Sequence, residues 1–205
     1  MSASEALWQS ARNLLDAQVN LKKLYESFDR VEVDEPGKGG LIIEYDDYTY
    51  EGGDWVKPVW NVFYKVTERQ KVGKKRETKK GLGYITLAIQ LTSDPGHGDD
   101  WEFGRRAKVL VGYSPSPKLD DWWEFDTANP DGAGECEDGN PQGNLWTHDE
   151  DKGSWFYAVK LDALNSTEAV DECLVNPLRA LINGDAPEKV LDPIKDKLCI
   201  PPQKA

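Results

Sequence analysis

Val59-Trp60-Asn61-Val62-Phe63-Tyr64-Lys65-Val66-Thr67 is the stretch that decides how this chain folds. It is dense in β-branched and aromatic residues, which suit a pleated, half-buried surface. Trp60, Val62, Tyr64 and Val66 fall on one face at period two, with Asn61, Lys65 and Thr67 on the other. Residues 84–91 repeat the pattern, with Ile85, Leu87, Ile89 and Leu91 on one face and Tyr84, Thr86, Ala88 and Gln90 opposite. Residues 59–91 therefore read as one long β-hairpin. A nine-residue arm spans roughly 30 Å, enough to cross a domain, and a helix is expected to cover its apolar face.

Between the arms lie residues 68–81, carrying Arg69, Lys71, Lys74, Lys75, Arg76, Lys79 and Lys80 against Glu68 and Glu77. The formal net charge of the whole chain is -12, so this cationic segment stands apart. It is long for a hairpin turn: either the arms extend into it or its tip is mobile. The segment 69–80 is the one place where contact with nucleic acid or another polyanion is expected. No aromatic residue is there to stack on a base, so a solvated tip whose lysines discourage strand pairing ranks ahead of that reading.

Composition bounds the rest. A chain of 205 residues with 39% apolar and 30% charged residues is expected to form a single globular domain, 1–205, with a loose tail at 201–205. No apolar run approaches the roughly 20 residues of a spanning helix, and the start lacks a basic region followed by an apolar one. No membrane association and a cytoplasmic location are the expectations. Cys136, Cys173 and Cys199 are odd in number and widely spaced. Cys173 reads as a core residue, a Cys173–Cys199 bridge stays open, and Cys136 lies between two acids that oppose a nucleophilic role.

Outside the hairpin, Ser2 and Glu5 form a capping box ahead of an amphipathic helix reaching about Asp29. Leu41-Ile42-Ile43-Glu44-Tyr45 reads as a strand that continues toward Tyr50 beyond a kink at Asp46-Asp47. Ala107 to Tyr113 and Ser154 to Leu161 read as further strands. Asn165 with Glu168 caps a helix, Asn176-Pro177 kinks or restarts it, and Asn183-Gly184 closes it. A last helical segment spans 187–199. With strands in the middle and helices at both ends, the fold class is α+β: a mainly antiparallel sheet of five to seven strands covered by N- and C-terminal helices.

Two regions are candidates for chemistry or binding. Asp94, His97 and Asp99 sit in an acidic stretch, 93–104, and are the candidates for a metal site or a metal-assisted hydrolase. Their turn-like context, with neither histidine in a known ligand spacing, ranks a surface loop ahead of that. The second region is Asp120-Asp121-Trp122-Trp123-Glu124-Phe125-Asp126, a short strand in which adjacent tryptophans point to opposite faces. From 119 to 151 there are eleven carboxylates and no Lys or Arg, with turn-rich backbone at 129–134 and 138–143.

A single-sign field beside indole rings favours a basic protein partner. The expected function is a non-enzymatic binding protein of the inhibitor or immunity type, with Trp122, Trp123, Asp120, Asp121, Glu124 and Asp126 as its contact residues and no cofactor. The alternatives are the hydrolase above and a carbohydrate-binding module using either indole as a stacking platform.

Overall fold

The computed structural model describes residues 2–33, 40–48, 59–72, 76–91, 107–115, 140–147 and 153–199. Seven antiparallel strands form one sheet: β1 (Leu41–Tyr48), β2 (Val59–Val72), β3 (Arg76–Gln90), β4 (Lys108–Ser114), β5 (Asn140–Gln142), β6 (Leu145–Thr147) and β7 (Trp155–Lys160). Their order is β1-β2-β3-β4-β7-β6-β5. Helix α1 (Ala3–Ser27) precedes the sheet, and a C-terminal layer follows it, built from α2 (Thr167–Val170), α3 (Asn176–Ile182) and α4 (Pro187–Leu191). The α+β class and the segregated helices are as the sequence indicated.

The hairpin is longer than its apolar pattern. β2 and β3 pair from Val59↔Gln90 to Val72↔Arg76, so the arms run on through the cationic segment. Fourteen residues correspond to about 46 Å of strand. The ladder carries one irregularity. Val66 pairs with Gly83 and Thr67 with Gly81, which leaves Leu82 as the extra residue of a bulge. The Tyr113 hydroxyl donates to the Leu82 carbonyl at 2.7 Å, giving the bulged residue an acceptor partner. Gly83 beside it has φ +146, and a Cβ there would lie 2.0 Å from the Ser114 carbonyl oxygen. β1 bends where anticipated, its register against β2 shifting between Tyr45 and Asp47.

One sheet face makes the main core. Val62, Tyr64, Val66, Ile85, Leu87, Ile89, Val109, Val111, Tyr157 and Val159 pack there against Val170, Cys173, Leu174, Leu178, Leu191 and Ile194. The opposite face has a smaller core of Ala88, Leu110, Trp146, Phe156, Ala158 and Cys199. Cys173 and Cys199 are thus buried in different cores, and both are free thiols.

The C-terminal layer shows why proline position matters. Pro177 has no N–H to donate to the Cys173 carbonyl, four residues back. The chain widens into a π-helical turn at Asp171–Val175, and the buried Tyr157 hydroxyl reaches from β7 to two carbonyls of that turn, 3.2 Å from Cys173 O and 3.1 Å from Leu174 O. The N-terminal cap is Ser166, whose Oγ accepts from Ala169 N, not Asn165 as its spacing from Glu168 implied. At the far end Gly184, at φ +88, terminates α3, with Gly184 N on Leu181 O and Asp185 N on Ala180 O.

Two features differ from expectation. Asn140–Gln142 is a strand, not turn, and the last of the described strands in the sheet: Pro141 is accommodated there, where its missing N–H costs no bond to a further described strand, and Gly143 at φ +62 makes the tight link to β6. Trp146 stacks on Phe156 across the β6–β7 pair at 5.0 Å. Helix α1 has its capping box, Ser2 Oγ accepting from Glu5 N while Glu5 Oε2 accepts from Ser2 N. Its coverage of the sheet is confined to its last turns, where Leu21, Leu24 and Tyr25 pack on the core with Phe28. Leu7, Trp8, Leu15 and Val19 remain exposed.

The end of α1 is fastened to the C-terminal layer electrostatically. Arg30, in the 3₁₀ turn Phe28–Val31, donates from Nε to Asp171 Oδ1 at 2.8 Å and from Nη2 to Asp171 Oδ2. Arg179 Nη2 donates to the carbonyls of Arg30 at 2.9 Å and Glu32 at 3.1 Å. The Arg30 guanidinium holds the Asp171 carboxyl below its ordinary pKa. A depressed carboxylate pKa contributes stability above the unfolded value, about 3.9, and that contribution is lost as pH falls through the folded value. Asp171→Asn is expected to lower the denaturation midpoint at neutral pH and to change it much less at about pH 3, where the native carboxyl is also losing its charge. Gly83→Ala, strained in φ and blocked by backbone, is expected to cost more than about 2 kcal/mol, read as a lowered denaturant midpoint at unchanged slope.

Candidate functional site at the basic ribbon

The described residues present one concentrated charged surface, the outer half of the β2–β3 hairpin. β1 stops pairing at Leu41↔Glu68, and β4 begins pairing at Tyr84↔Ser114. Beyond those points, among the described strands, β2 and β3 pair only with each other, as a two-stranded ribbon. Its register sets Glu68 opposite Lys80 and Lys71 opposite Glu77, but Arg69 directly opposite Lys79. Like charges across a ladder repel. That repulsion is relieved by Glu44 of β1, whose carboxylate accepts from Lys79 Nζ.

Lys65 and Arg69 share a face through the alternation of β2, and register puts Lys79 and Glu44 on that face as well. Lys65, Arg69, Lys79 and Lys80 are exposed. Three cations and one carboxylate sharing a face at the base of the ribbon leave local positive charge on a molecule of formal net charge -12. Such a surface can take a phosphate-bearing or carboxylate-rich ligand by charge, without reading its shape. No described aromatic side chain is exposed on this face, because Phe63 is buried and Tyr45 stands on the core side, edge-on to Tyr64 at 6.3 Å.

The same sheet face also buries polar groups, from Thr67 and Ser114 beside the ribbon to Gln90 and Lys108 at the far end. Asn61, Thr67, Thr86, Gln90, Lys108 and Ser114 are all buried, Lys108 at 0% exposure. Ser154 Oγ donates to Ser114 Oγ at 3.2 Å, and Lys160 Nζ donates to Asp196 O at 2.7 Å. Among the described residues, Asn61 Oδ1 and Thr67 Oγ1 have no hydrogen-bond partner. They stand six residues apart on one strand, about 20 Å, and so do not form one site. The inward lysine was legible only in parity: Lys108 shares its face with Leu110, whereas the expected face was that of Val109, Val111 and Tyr113.

Trp122, Trp123, Asp120, Asp121, Glu124 and Asp126 lie outside the described residues, as do Asp94, His97, Asp99 and Cys136. Among the described residues no group of three or more His, Cys, Asp or Glu converges as a metal site would require. Burial raises the pKa of the Cys173 thiol, which disfavours the thiolate a nucleophile needs. No described helix is long and apolar enough to cross a membrane. Comparison with family models, curated proteins and solved structures gives no match.

If the ribbon is an electrostatic contact surface, its cations should act together. Neutralising Lys65, Arg69 and Lys79 to Gln is expected to move elution from a polyanionic column such as heparin to distinctly lower salt, with no change in the folded circular-dichroism spectrum. Elution at an unchanged salt concentration would show that these side chains bind nothing by charge.

Proposed function

We propose that this chain is a non-enzymatic cytoplasmic binding protein, of the inhibitor or immunity type, that engages a basic surface on another protein through residues 120–126. Trp122 or Trp123 supplies the anchor, and Asp120, Asp121, Glu124 and Asp126 supply complementary charge. The observation that carries this reading is the run of eleven carboxylates between 119 and 151, uninterrupted by any cation and containing the tandem indoles. Desolvated indoles are the residues that most often dominate binding energy, and a single-sign field steers encounter and selects partners by charge.

The way the segment is tethered agrees with this. The chain leaves the sheet after Ser114 and re-enters it at Asn140. Ser114 pairs with Tyr84, and Asn140 pairs with Thr147, which pairs with Trp155 beside Tyr113. Both attachment points thus lie at the end of the sheet from which the cationic ribbon projects. The acidic segment is therefore joined to the sheet at the ribbon's end, at β4 beside the ribbon and at β5, the last strand of the order.

The test is capture of the partner from source-cell extract at low and high salt, using the intact chain as bait. Recovery should fall as salt rises. Trp122→Ala or Trp123→Ala should weaken binding by about thirtyfold or more, the scale of a central anchor. Retention that ignores both salt and the two indoles would remove the basis of this reading.

A further inference from the structure

Helix α1 carries an apolar stripe that no described residue of the chain covers. Leu7, Trp8, Leu15 and Val19 are 74%, 62%, 58% and 55% exposed. Leu7, Ala11, Leu15 and Val19 follow one another at i, i+4 spacing along Ala3–Ser27, with Trp8 beside that row. Scattered exposed apolar residues need no explanation, but a contiguous stripe of this kind marks a contact surface.

The flanking charges indicate what the contact is. α1 carries Glu5, Asp16 and Glu26 against Arg12, Lys22 and Lys23, so it has neither the cationic excess that draws a helix to anionic lipid nor a single sign to attract an oppositely charged protein. Its signs are instead ordered along the helix in a way that complements a reversed copy of itself. We propose that α1 is a self-association surface, pairing antiparallel with α1 of a second copy of this chain.

A two-fold axis passing between Ala11 and Leu15 sets Leu7 against the second copy's Val19, and the small Ala11 against the second copy's Leu15. The same alignment brings Glu5 within two residues of the level of the second copy's Lys23, and Arg12 within two of the second copy's Asp16, about 3 Å along the axis in each case. Parallel alignment would instead bring only identical residues to each level, Glu5 with Glu5, Arg12 with Arg12 and Asp16 with Asp16, and so provides no opposite-charge match at those levels. The interface is isologous, each contact occurring twice. Trp8, beside the row, carries the Arg12 guanidinium 5.9 Å from its ring centre. A seam confined to one helix buries less than the ~800 Å² per partner of a standard interface, so the dimer is expected to dissociate on dilution.

Sedimentation velocity of the full chain over a wide concentration series tests this. Wild-type chain should shift from monomer to dimer as concentration rises. Leu7→Lys/Leu15→Glu should raise the dimer dissociation constant by more than about tenfold, with far-UV circular dichroism and thermal midpoint unchanged because these side chains are exposed. Orientation is read separately: oxidising a mixture of Leu7→Cys and Val19→Cys chains should give cross-linked dimer, and Leu7→Cys alone should give no more than wild type. The proposal is overturned if wild type sediments as monomer at every concentration, if the double variant associates as wild type does, or if Leu7→Cys alone cross-links as well as the mixture.

Discussion

The pairing of β2 with β3 is the constraint on which the rest of this molecule depends. A ladder running from Val59↔Gln90 to Val72↔Arg76 gives every other strand its place. β1 is laid against one side and β4 against the other, and β7, β6 and β5 follow outward from β4. Because side chains alternate strictly along a strand, one register decision assigns Val62, Tyr64 and Val66 to the helical layer and Asn61, Phe63 and Thr67 to the opposite face. The Leu82 bulge is tolerated within this ladder because Gly83 accepts a backbone angle and a close approach that no side chain would.

The helical layer obeys a second rule, that buried backbone carbonyls need donors. Pro177 begins a helix well and cannot serve the preceding turn. The resulting π turn is completed by the Tyr157 hydroxyl, a side chain of the sheet. Strand and helix are thereby coupled through a polar contact inside an apolar core, where a hydrogen bond contributes about 1 kcal/mol and its loss leaves a desolvated carbonyl. The Arg30–Asp171 pair and Arg179 do the equivalent at the surface, tying the chain leaving α1 to the start of the π turn.

How much of this was legible in the sequence depends on how many residues each feature spends. The hairpin, β4 and β7 each offer several turns of a period-two pattern, so their faces could be read directly. β5 and β6 have three residues each, too few to show a period, and Pro141 reads as a turn until it is known to lie in the last of the described strands. The capping boundary was displaced by one residue because Asn165 and Ser166 are both good caps and only geometry chooses between them. For α1 the periodicity was plain, but periodicity reports an apolar face without saying what covers it. The cationic ribbon was visible as composition. Its shape was not, since charged residues carry no apolar alternation from which to read a strand. The indole pair at Trp122 and Trp123 and the Asp94, His97 and Asp99 group lie outside the described residues, so their assignment rests on sequence chemistry.

The two rims of the sheet have a consequence for how this molecule can meet its own kind. An open β-sheet ordinarily invites further strands to add on, the route by which such proteins form fibres. Among the described strands the outermost are β1, which is bent by the register break beside Asp46, bears Glu44 and is bridged at Ile43 by Val33, and β5, which is only three residues long and has proline at its centre. Neither offers a long, flat template, so growth of the sheet from molecule to molecule is discouraged in both directions.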